Sequence, residues 1–182
     1  MGQIYVALLR GINVGGNNKV DMKQLKETFV AVGASDVATY INSGNVVFTD
    51  TRSAGELSPA LERAIEAEFG FHVKVLLRDI DAIKALVDAI PENWVNDKTQ
   101  RTDVWFLWED QDRPEVMDEL KIKPGIDEVF YIPGAVVWCA DGTQITRSGR
   151  GRVIGTQLYK SLTARNVNTV RKIHSLMEAV KG

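Results

Sequence analysis

The densest group of residues able to hold a ligand lies in ALLRGINVGGNNKVDM, residues 7–22, where an apolar run ends in Arg10 and opens into glycine and asparagine. Gly11, Gly15 and Gly16 accept positive φ freely and Asn13 tolerates it, so successive amides can turn inward as an anion-binding nest. Arg10 at the mouth can grip a phosphate or carboxylate with two parallel hydrogen bonds. A nucleoside-triphosphate loop is excluded. Gly11 and Gly16 have its spacing, but Asn17 replaces the lysine and Asn18 the magnesium-binding hydroxyl. The dinucleotide fingerprint is excluded too, because GINVGG lacks the G-x-G-x-x-G spacing and no parallel βαβ unit is evident. No cofactor is expected. The competing use of Arg10 is an ion pair with a carboxylate of the body, the loop then being a packed connection.

Two further groups join this candidate anion site. Asn42 and Asn45 sit at or beside the tip of a hairpin in TYINSGNVVF, where their plainer role is turn geometry. Arg165 and Asn166, in LTARNVNTVRKI, stand just before a helix that Asn168 can cap, and free amides at such an end favour anions. They join the first loop if the last helix returns to it. An alternative of another class is an acylphosphatase-like hydrolase of phosphoryl or acyl-phosphate groups, with Arg10 and Asn42 or Asn45 imitating that fold's arginine and asparagine. No metal site is expected. His72 and His174 lie far apart in sequence, and Cys139 stands alone on an apolar strand.

These residues need elements to position them. Residues 3–9 read as a buried strand, and a helix begins near Asp21, with Gln24 completing a capping box and Gly33 suiting its stop. A hairpin turns at Asn42-Ser43-Gly44. A second helix starts at Ser58-Pro59 and ends near Gly70, and HVKVLLR is a strand. Strand, helix, strand, strand, helix, strand over residues 1–78 is the ferredoxin-like (βαββαβ) order of an α+β fold. Residues 79–182 form a second, partly similar α+β subdomain. A helix follows Asp79 and stops at Pro91, TDVWFLW is a strand and a short helix follows Pro114. A hairpin then turns at Pro133-Gly134, DGTQITRSGRGRV is a loop, and a closing helix starts near Asn168.

Of 182 residues 45% are hydrophobic and 25% charged, the profile of a globular chain. One cysteine allows no internal disulfide, and the first apolar run lacks a basic flank and is too short for a signal or a membrane span, so a cytoplasmic protein with no membrane partner is expected. The net charge of −2 hides a split. Residues 1–140 carry 14 basic and 22 acidic side chains, and residues 141–182 carry 8 and 2. A basic tail admits a third alternative, a nucleic-acid or protein interaction module. Against nucleic acid, residues 1–78 carry 8 basic and 8 acidic side chains, and SGNVVF fails the second strand signature of RNA-recognition domains.

ALLRGINVGGNNKV, TYINSGNVVF and LTARNVNTVRKI together resemble a bacterial family described only as a domain of unknown function, number 1697. The resemblance implies an α+β fold with a ferredoxin-like part and carries no catalytic residues over to this chain. The family's usual tryptophan after the Arg-Asn pair is Val167 here.

Overall fold

Alternation within QIYVALL turns Tyr5, Ala7 and Leu9 to one face of β1 (Gln3–Leu9), while Val6 and Leu8 on the other face are also fully buried. A strand covered on both sides belongs in the middle of a sheet. The computed structural model, which describes residues 2–181, places β1 there. Met1–Ile83 with Ile173–Gly182 forms one compact unit and Lys84–Lys172 a second.

In the first unit β1 is followed by α1 (Met22–Ala31), β2 (Ser35–Tyr40), β3 (Asn45–Asp50), α2 (Ala54–Phe69) and β4 (Val75–Asp79). The sheet order is β2-β3-β1-β4, with every neighbouring pair antiparallel. β1 and β2 are therefore parallel with β3 between them, and β3 and β4 are parallel with β1 between them. Two split βαβ units interleave, which is the ferredoxin-like arrangement. Tyr5, Ala7 and Leu9 join Val46, Phe48, Val75 and Leu77 against Leu25 and Phe29 of α1 and Leu57, Leu61 and Ile65 of α2.

The helix starts refine the sequence reading. Asp21 caps α1, its Oδ1 accepting the Gln24 amide at 2.9 Å, but the Gln24 side chain donates to Glu68 instead of closing the box. α2 starts at Ala54, a turn before Ser58-Pro59. Glu56 Oε2 there accepts the Ser53 amide at 2.9 Å and its hydroxyl at 2.6 Å, a stronger start signal than a proline. Pro59 is absorbed inside the helix at the loss of one intrahelical hydrogen bond. Gly70, at φ +80°, ends α2 as expected.

Asp79 caps α3 (Ile80–Ala89), accepting the Ala82 amide at 2.8 Å. In the second unit come β5 (Gln100–Leu107), a 3₁₀ segment at Pro114–Glu119, β6 (Asp127–Ile132) and β7 (Ala135–Asp141). The 3₁₀ segments Gly142–Arg147 and Gly149–Arg152, α4 (Gln157–Lys160), β8 (Leu162–Asn166) and α5 (Val167–Lys181) complete the chain. The sheet order is β6-β7-β5-β8, again antiparallel throughout. The second sheet thus repeats the first strand for strand, with short helical pieces where α1 and α2 stand in the first. Its core joins Trp105, Leu107, Val136, Trp138 and Leu162 to Val116, Val153 and Leu158, and the two indoles lie 5.0 Å apart. Residues 141–153 are largely 3₁₀ rather than plain loop, and LTARN, which stands just before the closing helix, is a strand. Among the described residues no helix is long and apolar enough to cross a membrane.

Candidate functional site

The β1–α1 loop uses positive φ at Gly11, Asn13, Gly15, Gly16 and Asn18. Its use is a small self-bonded ribbon. Gly15 and Gly16, both at positive φ, form a tight turn closed by the Asn17 amide on the Val14 carbonyl at 3.1 Å. The Asn13 amide donates to the Asn18 carbonyl at 3.0 Å, and Asn18 Nδ2 to the Gly11 carbonyl at 3.1 Å. Asn13 is the latch. Its Nδ2 donates to the carbonyls of Val20 at 3.0 Å and Asn42 at 2.9 Å, and its Oδ1 accepts the Val20 amide at 2.9 Å. Both side-chain donors of Asn13 are committed, which leaves none for an anion.

The loop and the β2–β3 hairpin do meet, and topology requires it. β1 runs antiparallel to β3, so the hairpin that begins β3 lies at the end of β1. The Leu9 amide donates to the Gly44 carbonyl at 2.9 Å, and a Cβ at Gly44 would stand 2.8 Å from Leu9 Cβ and Ile12 Cδ1. Asn45 is fully buried and donates through Nδ2 to Tyr40 O and Ser43 Oγ, both at 3.0 Å, so it closes the hairpin from within. An open cleft of about 680 Å³ lies beside this junction, lined by Asn13, Gly16 and Asn42 together with Lys19, Lys23 and Gln24. Arg10, Gly11, Gly15 and Asn45 do not line it. The Arg10 amide donates to the Lys74 carbonyl at 3.0 Å.

Arg165 and Asn166 both line a second cleft, but Arg165 does so as a buried residue of β8. Neighbouring strand residues face opposite ways, and Thr163 and Arg165 are buried where Ala164 is exposed. The Arg165 guanidinium donates to Thr163 Oγ1 at 2.9 Å and to the Ala164 carbonyl at 2.8 Å, and burial pushes its pKa down to about 10. Asn166, not Asn168, caps α5, its Oδ1 accepting the Thr169 amide at 2.9 Å; Asn168 Nδ2 donates instead to the Asn96 carbonyl at 3.1 Å.

This second cleft, of about 550 Å³, lies within the second unit. Its floor is the sheet face on which β5 presents Arg101, Asp103 and Trp105 at alternate positions, with Asn166 opposite Asp103 and Ala164 opposite Trp105. Its wall is the segment between β7 and β8, through Arg150, Val153, Ile154 and Tyr159. Arg150 Nη2 meets Asp103 Oδ2 at 2.6 Å, with the carboxylate side chain only 16% exposed. Burial raises the Asp103 pKa above the ordinary value, against the opposing pull of Arg150 and Arg101.

Arg150 is held in place from beneath. The buried Asp127 carboxylate accepts the Ser148 hydroxyl at 2.5 Å, the Gly149 amide at 2.8 Å, the Lys123 amide at 2.9 Å and Trp138 Nε1 at 3.1 Å. A Cβ at Gly149 would stand 1.7 Å from the Lys121 carbonyl oxygen, so only glycine fits there. Burial works against the Asp127 charge, but these four donors hold its pKa below the usual carboxylate value.

Arg101, Asp103, Arg150 and Tyr159 are not residues that the sequence alone points to. The signal for the first two was the alternation Arg101-x-Asp103-x-Trp105, which places charge on one face of an otherwise apolar strand. Arg150 carried no local signal, because its place depends on Asp127, 23 positions earlier. Among the described residues no group of three or more His, Cys, Asp or Glu is placed to hold a metal ion. Cys139 is buried on β7, and burial raises its thiol pKa.

A solved structure of a conserved bacterial protein, SP0830 from Streptococcus pneumoniae, is similar to this chain, with a TM-score of 0.84 and 27% sequence identity over 97% of this chain and 99% of that one. No curated protein matches the sequence. The model of one family does match, over residues 3–138 and so across the β1–α1 loop, both hairpins and most of both sheets, and the chain belongs to that family, described as protein of unknown function (DUF1697).

Proposed function

We propose that this protein binds a small anionic ligand, phosphate- or carboxylate-bearing, in the cleft of its second unit, where Arg150 and Arg101 grip the charge. The observation that carries this reading is the Asp103–Arg150 pair. A carboxylate whose ionisation burial opposes sits in a cleft against an arginine, the kind of perturbed group that concentrates at functional sites. An incoming anion takes the place of Asp103 on Arg150 and accepts paired hydrogen bonds from the guanidinium. Arg101, exposed on the same face, supplies the second charge.

The β1–α1 loop fits this role less well, because Asn13 is spent on the hairpin and Arg10 does not border the adjoining cleft. The acylphosphatase-like alternative finds less support, because Asn45 donates into its own hairpin. Three of the eight basic side chains of the tail are engaged within the fold: Arg150 meets Asp103, Arg165 is buried, and Arg171 donates to the Trp94 and Pro91 carbonyls at 2.7 and 3.0 Å. That leaves less of an electrostatic footprint for nucleic acid.

A thermal-shift screen of phosphorylated and carboxylated metabolites tests the reading. A ligand at a hundred times its Kd stabilises the fold by about 2.7 kcal/mol, and Arg150→Ala should abolish that shift. A panel with no stabilising anion, or a shift unchanged by Arg150→Ala, would overturn it.

A further inference from the structure

We infer that the anion held in this cleft carries a planar ring on a short linker, as a nucleoside monophosphate does. This rests on the anion-binding reading and adds the class of ligand. The charged and apolar ends of the cleft are separated along one strand. Arg150 meets Asp103 at one position of β5, and two residues on, at the same face, Trp105 stands opposite Ala164. Two residues of strand span about 7 Å, the reach of a ring-to-phosphate linker.

The apolar end is lined by one small exposed residue and two larger exposed ones. Ala164 is exposed and small, so it leaves a shelf on the floor where a larger side chain would fill the space. Ile154 and Tyr159, 66% and 39% exposed, border that shelf from the wall. Exposed apolar side chains scattered singly carry no meaning, but these two line the same cleft as Trp105 and Val153. Trp105 itself is buried against Trp138, so the ring available for stacking is that of Tyr159, and stacking tolerates any base because each has a π-face. Asn166, whose Oδ1 is used by α5, keeps its Nδ2 as a donor at the edge of the cleft.

Calorimetric titration of the full chain with inorganic phosphate, adenosine, phenyl phosphate and the four common nucleoside monophosphates tests this. Expected are nucleotide affinities at least tenfold above that of inorganic phosphate. Tyr159→Ala and Ala164→Leu should each bring them about tenfold down, with melting curves confirming that both variants fold. Equal affinity for phosphate and nucleotides would overturn the ring and leave the anion reading standing. Nucleotide binding untouched by both substitutions would also overturn the ring. Absence of binding by every probe would overturn both.

Discussion

At the scale of single residues, three buried or half-buried aspartates set opposite dependences on pH. Asp127, with its four donors, and Asp50, hydrogen-bonded to Arg52 at 2.6 Å, have lowered pKa values. Their stabilisation is present above the ordinary carboxylate value of about 4 and is lost as pH falls through their lower folded values. Asp103 has a raised value, so the folded state holds its proton longer than the unfolded chain, and its share of stability falls as pH climbs from about 4 through the folded value. Melting temperature followed from pH 3 to 8 should show Asp103→Asn flattening that decline. Asp127→Asn should instead cost about 2–4 kcal/mol at neutral pH, since an amide nitrogen cannot accept the donors an oxygen held. Parallel curves for wild type and Asp103→Asn would show that burial does not bear on that carboxylate. Asp103 was visible in sequence only as one charge on an apolar strand; its titration belongs to the fold around it.

At the scale of elements, the junction between the β1–α1 loop and the β2–β3 hairpin rests on one side chain. Asn13→Ala removes three hydrogen bonds at once and should lower stability by about 1–3 kcal/mol, with amide exchange quickening around Asn42 and Val20. Unchanged exchange at both positions would mean that the backbone alone holds the junction. The elements of the first unit were legible because each carried its own punctuation: Asp21 as a cap, Gly70 as a stop, an Asn-Ser-Gly turn. α2 begins a turn before Ser58-Pro59 because the Ser53–Glu56 box is a stronger start signal than a proline. β8 carries no such punctuation. It is five residues long and passes into α5 with no turn residue between them, so its basic and polar letters read as the approach to a helix. The meeting of loop and hairpin follows from antiparallel pairing of β1 with β3, information that lies in the strand order and not in either segment.

At the scale of the whole molecule, the first unit includes Ile173–Gly182 from the far end of the chain, whereas its sheet is complete by Asp79. A chain ending at Lys172 should therefore keep all four strands of that sheet and still lose stability. Amide exchange in β1 and β4 should accelerate, and the melting temperature should fall by several degrees for each kcal/mol lost, as expected for a unit of this size. Exchange rates in β1 matching those of the full chain would show that these ten residues add nothing. The shared strand order of the two sheets also bears on how the chain acquires its shape. Val6 of β1 pairs with Val47 on one side and Arg78 on the other, and Val104 of β5 pairs with Val137 and Arg165. One of the two inner strands of each sheet, β1 or β5, is thus the first to be synthesised, while one of its two neighbours is the last. A newly made β1 must wait, apolar on both faces, until the ribosome has delivered β4. Pairings of such long range put folding toward the slower, millisecond-to-second regime and make the unfinished sheet the stage at which aggregation competes.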